Sequence, residues 1–389
     1  MRHLPDLHRE HRKDGRSVIV ATTTLRGSIL TPDGWYRGRI VFDARIRAVE
    51  GQPAEPAPPY LLPGFVDLHV HGGGGADVME GEAAVRRVAA FHARHGTTSL
   101  LATTVTAPPE ALEAAFHGIA RAMASPGERA ARIRGVHLEG PFISPQALGA
   151  QPPHTLPPDP DLVRRLAAVA PIRVATVAPE TDPDDRLLAA FTEFGTRLQI
   201  GHTRCSYARA RAALAAGYAG FTHLFNAMSG CAHRDPGAAA AALAHAEWAE
   251  IIPDLAHVDP GMILAARRAV SGLYGVTDAV AAAGMPDGPY RLGTHRIEKR
   301  GGTVRLADGR LAGSVLTMDR ALRNLVAIGL PLDEAAHRLS TLPAAYLGLA
   351  DAGRLAAGLA ADLVELDGDL RLRAVHVAGH RVVPATDGE

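Results

Sequence analysis

The sequence predicts an α/β fold: a (β/α)8, TIM-like barrel with a small β-sandwich domain built from both chain termini. Three observations predict it. Eight strand-like segments alternate with alanine-rich amphipathic stretches across residues 60–349. The flanking stretches 17–59 and 350–389 read as short strands broken by turn residues, and neither is long enough to bury a core alone. The chain has 389 residues, more than the ~250 that one barrel usually takes.

The elements follow in order. Residues 1–16 are polar, lack the apolar core of a signal peptide, and read as a flexible arm holding His3, His8 and His11. Residues 17–59 form the N-terminal half of the sandwich, with turns at Pro32-Asp33-Gly34 and Gly51 and a proline-rich linker from Pro53 to Pro59. The barrel strands are expected over 60–71, 97–104, 132–139, 173–180, 197–203, 219–225, 250–257 and 273–279, the seventh having the weakest pattern. Helical periodicity is clearest over 82–95, 109–124 and 207–217. Residues 353–368 and 373–383 supply the returning strands of the sandwich.

Composition sets limits. Hydrophobic residues make up 47% and charged residues 21%, a globular balance. Lys+Arg and Asp+Glu are both 41, so no global basic surface for nucleic acid or anionic membrane exists, and an anionic ligand must be met locally. No apolar run approaches a membrane span. Cys205 and Cys231 are too few for a disulfide framework or a four-thiolate zinc site and fit a reducing, cytoplasmic setting.

Active sites of such barrels gather where the strands end. There the sequence places His69 and His71, Glu139, His202, His223 and Asp278, on five different strands. Residues i and i+2 of a strand share a face, so His69 and His71 can hold one ion together. A His-X-His pair alone is weak; five strand ends bearing metal-capable side chains are not. Imidazole and carboxylate donors suit a divalent metal, zinc first, with iron, manganese or cobalt as alternatives. One ion would use Glu139, His202 and His223. A second would use His69 and His71 with Glu139 bridging. A carboxylated-lysine bridge is excluded, because the only lysines are Lys13 and Lys299, the latter expected in a loop after the eighth strand. Asp278 could take a proton from water activated by the metal, which points to hydrolysis of an amide or related C–N bond. His137, two residues before Glu139, reads as a supporting or core residue. His92, His95, His117, His245, His337, His376 and His380 read as structural. The run Gly72 to Gly75 lacks the Lys-Ser/Thr of a phosphate loop and reads as a turn near the metal.

These residues lie in longer strings. LLPGFVDLHVHG resembles the first-strand motif of the amidohydrolase superfamily, and HLEGPFIS, GHT, THLFNAM, VTDA and LAGS follow in order. The set is similar to the N-acetylglucosamine-6-phosphate deacetylase family, from about Ser17 to the C-terminus. The resemblance implies Glu139, His202 and His223 as metal ligands, His69 and His71 for a second ion, and Asp278 as catalytic acid/base. It implies Asn226, Ala227, Arg234 and His257 as ligands of the sugar phosphate, and the loop from Leu311 to Ser314 as cover for the acetyl methyl. It further implies a phosphorylated amino-sugar substrate and a homodimer. Two departures stand out. Gln151 occupies a position where some members have a substrate-binding histidine. Leu255 stands where the family pattern has glycine, so a different local backbone is expected, since leucine rarely adopts positive φ. Three alternatives stay open: the N-acetylgalactosamine 6-phosphate epimer, another C–N hydrolase acting on an unphosphorylated substrate, and a non-catalytic relative.

Overall fold

A computed structural model describes residues 6–11 and 17–385. Its centre is an eight-stranded parallel sheet: β1 (Phe65–Val70), β2 (Thr97–Thr104), β3 (Arg132–Glu139), β4 (Ile172–Val177), β5 (Arg197–Ile200), β6 (Gly220–Phe221), β7 (Trp248–Ile251) and β8 (Gly272–Gly275), paired in sequence order. Past the end of β8 the cylinder closes onto β1. Asp278 N donates to His69 O at 2.9 Å, and His71 N to Ala279 O at 2.9 Å. A helix follows each strand, and three of them are Glu82–Arg94, Pro109–Ala124 and Tyr207–Ala216. Their starts carry expected signals: Ser206 accepts from Arg209 N, and Asp259 accepts from Gly261 N ahead of Pro260. Val85, Val88 and Ala89, on the inner face of the first helix, are buried in the main core. Among the described residues no helix is long and apolar enough to cross a membrane.

The termini meet in one further sheet. Its order runs from His380–Val382 through Leu372–Val377, Leu363–Leu366, Tyr60–Pro63, Ser17–Thr31 and Gly34–Phe42 to Ile46–Pro53. This sandwich-like unit encloses its own small core of Ile29, Ile40, Phe42, Ile46, Leu61 and Leu363. Three expectations need correction. The segment expected as one strand over 60–71 is two, because Tyr60–Pro63 pairs with Leu363–Leu366 in the terminal sheet. The break falls at Gly64, where a Cβ would lie 2.3 Å from Thr98 Cγ2. Within the arm expected to lie loose over 1–16, Asp6–His11 pairs antiparallel with residues 17–22; His3 lies outside the described residues. Lys299 is in a strand, not a loop: it belongs to a three-stranded insert of Gly288–Leu292, His295–Arg300 and Thr303–Arg305. Its Nζ caps the carbonyls of Ala282 and Met285, away from the strand-end histidines.

His376 lies buried in the terminal sheet with its ring 5.0 Å from that of Phe42, and its Nδ1 has no partner. Burial pushes its pKa down to about 4. Between its ordinary value of about 6.5 and about 4, the unfolded chain therefore binds a proton that the folded chain does not. Stability must fall as pH falls through that window and level off below it. Replacing His376 with Leu is expected to reduce this loss, read as a smaller drop in urea midpoint between about pH 7 and pH 4.5.

Candidate metal centre

The barrel ladder stops just short of three of the site residues. β5 ends at Ile200 and His202 follows with φ 46°; β6 ends at Phe221 and His223 follows with φ 29°; β8 ends at Gly275 and Asp278 has φ 49°. The strands expected through 203, 225 and 279 are therefore shorter, and these side chains come from turns. A left-handed non-glycine residue costs about 1–2 kcal/mol, so each is held by its surroundings.

Glu139, the last residue of β3, lies at the centre. Its Oε1 is 2.9 Å from His223 Nε2, 3.1 Å from His202 Nε2 and 3.4 Å from His69 Nε2. Its Oε2 is 3.1 Å from His71 Nε2. Asp278 Oδ1 stands 3.3 Å from His71 Nε2 and 3.5 Å from His69 Nε2. Among the described residues three donor sets have their ligand atoms within 4.8 Å of one another: Glu139–His202–His223 and His69–His71–Asp278, which meet at Glu139, and His69–His137–Glu250, which shares His69 with the second.

The outer ring nitrogens explain why the inner ones point here. Nδ1 of His202 faces Ala147 O at 2.8 Å, Nδ1 of His71 faces Thr103 O at 2.9 Å, and Nδ1 of His69 faces Glu250 Oε2 at 2.9 Å. These acceptors anchor each Nδ1 on the outside and turn each Nε2 inward, where a cation could displace any proton it carries. Nε2 of His202 lies 3.1 Å from Nε2 of His223, and the two are drawn together around Glu139 Oε1.

Charge gives the same answer. Burial opposes ionisation of every group here, yet the histidines around Glu139 hold its carboxyl well below the ordinary range. Asp278 and Glu250 are likewise lowered despite burial, by His69 among others. Against the same burial, Asp278 and Glu139 raise His71 to about 9. Three ionised, buried carboxylates thus draw positive charge into the cluster. Inward-facing Nε2 atoms and excess negative charge together fit a divalent cation.

The pocket over this cluster is lined by Gln151, Asn226, Ala227, His257 and Leu311, as the sequence expects. His257 is oriented by Asp254, whose Oδ2 lies 2.7 Å from His257 Nδ1. Burial lowers the affinity of His257 for a proton, but Asp254 outweighs this and raises it. Leu255 does adopt the glycine-like conformation, with φ 65°, so the expected change of backbone does not occur there. Asp254 Oδ1 fixes the turn by accepting from the backbone N of Ala256 and His257. Ser314 is not a lining residue. Its hydroxyl donates to Thr277 O at 2.5 Å and accepts from Leu316 N, and Gly313 faces the pocket instead. Arg234 is exposed on the loop before Ala238–His245 and does not line the pocket either.

The profile of the amidohydrolase family matches residues 60–386. The chain belongs to the amidohydrolase family. An N-acetylgalactosamine-6-phosphate deacetylase of Escherichia coli O157:H7 is 38% identical over 372 residues, covering 90% of this chain and 96% of that protein. An N-acetylglucosamine-6-phosphate deacetylase of Vibrio furnissii is 33% identical over 390 residues, covering 96% and 93%. A mutant of N-acetyl-D-glucosamine-6-phosphate deacetylase from Mycobacterium smegmatis, solved in complex with N-acetyl-D-glucosamine-6-phosphate, superposes with a TM-score of 0.86 at 37% identity, covering 94% of this chain and all of that one.

This amidohydrolase site also uses residues that the sequence did not single out. Glu250, in β7, is fully buried, holds His69 Nδ1 and accepts from the backbone N of His223 at 3.2 Å. Its only sequence signal is a carboxylate inside an otherwise apolar strand, Trp248–Ile251. Asp67 precedes His69 by two residues and shares its inward face. Its Oδ2 accepts from Thr277 Oγ1 at 2.6 Å, tying β1 to the end of β8. Burial pushes the Asp67 pKa up to about 7. His137, which the sequence does single out as a supporting or core residue, is buried here: Nδ1 faces Leu68 O at 3.0 Å, Nε2 faces Thr176 Oγ1 at 2.8 Å, and burial lowers its pKa to about 4, so the ring is neutral.

Proposed function

We propose that the chain hydrolyses the N-acetyl group of N-acetyl-D-glucosamine 6-phosphate, releasing D-glucosamine 6-phosphate and acetate. The observation that carries this reading is the convergence of Glu139, His69, His71, His202 and His223 on one point beside Asp278, beneath a pocket lined by Asn226, Ala227 and His257. Relatives of 33–38% identity that act on acetylated amino-sugar phosphates support the substrate class.

Glu139, His202 and His223 would hold one divalent cation, zinc by donor chemistry, and His69 and His71, together with Glu139, a second, with Asp278 beside them as the proton acceptor. When bound, such a cation makes water acidic and polarises a carbonyl. Asp278, ionised at neutral pH, accepts the proton of the attacking water and passes it to the departing nitrogen. Asn226 and the backbone at Ala227, together with His257, oriented by Asp254 and with its proton affinity raised by it, receive the phosphate end. Leu311 packs on the acetyl methyl. Arg234, exposed outside the pocket, serves the phosphate of a neighbouring copy or closes on its own site, in keeping with a homodimer. A cytoplasmic location goes with this reading through the free Cys205 and Cys231.

The test is acetate release from N-acetylglucosamine 6-phosphate, its galactosamine epimer and unphosphorylated N-acetylglucosamine. Two charge-assisted contacts to phosphate, at about 1.5–3 kcal/mol each, predict a kcat/KM about 10²–10⁴-fold higher with phosphate than without. Equal rates with and without phosphate overturn the phosphate assignment. A dominant rate on the galactosamine epimer favours the second reading, which the 38% identical relative supports.

A further inference from the structure

Gln151 is 5% exposed and makes two contacts that define its job. Its Oε1 accepts from Thr106 N at 2.7 Å. A backbone N–H can only donate, so this contact fixes which end of the amide is oxygen. The NH2 end therefore faces Glu139 and donates to Oε2. The backbone of Gln151 is itself anchored, its N donating to Leu148 O at 2.7 Å.

We propose that Gln151 is a positioning residue for Glu139: it clamps the carboxylate so that Oε1 faces His202 and His223 and Oε2 faces His71, and so sets the affinity of the second cation. The geometry around Glu139 makes such a clamp necessary. Nε2 atoms of His223, His202 and His69 crowd Oε1 at 2.9, 3.1 and 3.4 Å, while only that of His71 faces Oε2, at 3.1 Å. The terminal torsion of a glutamate is broad and nearly unrestrained by itself. A free carboxylate could turn both oxygens toward His202 and His223 and leave His71 and His69 without a shared acceptor. Donation from Gln151 removes that freedom.

Two features fit this role. The end of β2 fixes the His71 ring through Thr103 O, and Thr106, two residues past the strand, fixes the amide, so one continuous backbone segment sets both the histidine and the oxygen opposite it. The donor is also neutral. An arginine or a charged histidine here would cancel part of the negative charge that draws in cations, whereas an amide orients Glu139 and leaves that charge intact. The proposal rests on the metal-dependent reading of the site and is independent of the substrate.

The experiment titrates chelator-stripped protein with Co²⁺, followed by calorimetry and by the visible spectrum of the bound ion, without substrate. The wild type is expected to take two equivalents. Gln151→Met keeps the length and removes the donor; its first equivalent should bind as in wild type and its second about 10–100-fold more weakly. Gln151→Asn keeps the amide but is too short to span Thr106 and Glu139, and should weaken the second equivalent likewise; it carries the test if Gln151→Met does not fold. Unchanged affinities for both ions with a raised KM would overturn the clamp and make Gln151 a substrate ligand. A wild type that takes one equivalent also overturns it. A wild type that binds no Co²⁺ overturns the metal reading itself, a result seen before any variant is made.

Discussion

Replacing Asp278 with Asn lowers kcat by about 10²–10⁴-fold while leaving the cation content unchanged. Asp278 sits just past β8 in the left-handed region, with Oδ1 3.3 Å from His71 Nε2. Burial opposes its charge, but His69 and His71 prevail and hold its pKa below the ordinary value. At neutral pH the carboxylate is thus ready to accept a proton from water. The amide of Asn has nearly the same shape and keeps an oxygen in the same place, so Glu139 and the four histidines can still hold their ions. What the amide lacks is a lone pair basic enough to take the proton and a group able to return it. Acetate release with metal analysis on the same sample separates the two effects. Wild-type turnover in this variant would remove Asp278 from the proton path, and lost cation content would make it chiefly a ligand.

Replacing Glu139 with Ala has a different outcome: cation binding collapses and activity falls by about 10³-fold or more, since a bound metal contributes several kcal/mol to such chemistry. Among the described residues Glu139 is the one side chain within 3.4 Å of a ring nitrogen of all four strand-end histidines. It is also fully ionised in a buried place, held so by those rings. Without it neither set keeps its shared oxygen, and Gln151 is left with an unmet donor. The fold should survive, because Glu250 still orients His69 and the carbonyls of Thr103 and Ala147 still orient His71 and His202. Unchanged far-ultraviolet dichroism with a metal content near zero is the expected pair of results. A variant that keeps two ions would show that the histidines suffice and that Glu139 is not the bridge.

The local signals in the sequence were strong where one residue type has one use. The His69–His71 pair is legible because a strand alternates its faces, and Asp278 because a carboxylate after an apolar strand has few structural reasons to be there. Ser314 shows the limit. The resemblance puts Ser314 in the loop that covers the acetyl methyl, but serine competes readily for backbone groups, and here Thr277 O and Leu316 N take its hydroxyl. Gln151 and Glu250 show the converse, since nothing in the neighbouring sequence of either names its partner, 12 residues away for one and 181 for the other. Leu255 shows that a side chain disfavoured at positive φ can be held there when a neighbouring carboxylate, Asp254, fixes the turn.

By itself the sequence determined the alternation of strands and helices, the β character of both ends and the metal-capable residues at the strand ends. These are properties of periodicity and residue chemistry, which act over a few neighbours. Only the tertiary structure decided which oxygen of Glu139 faces which histidine, which ring nitrogen of each histidine faces inward, and that Tyr60–Pro63 leaves the barrel for the terminal sheet. Those outcomes depend on backbone carbonyls, amides and carboxylates brought together from distant strands when the cylinder closes, and no local pattern encodes the angle at which they meet.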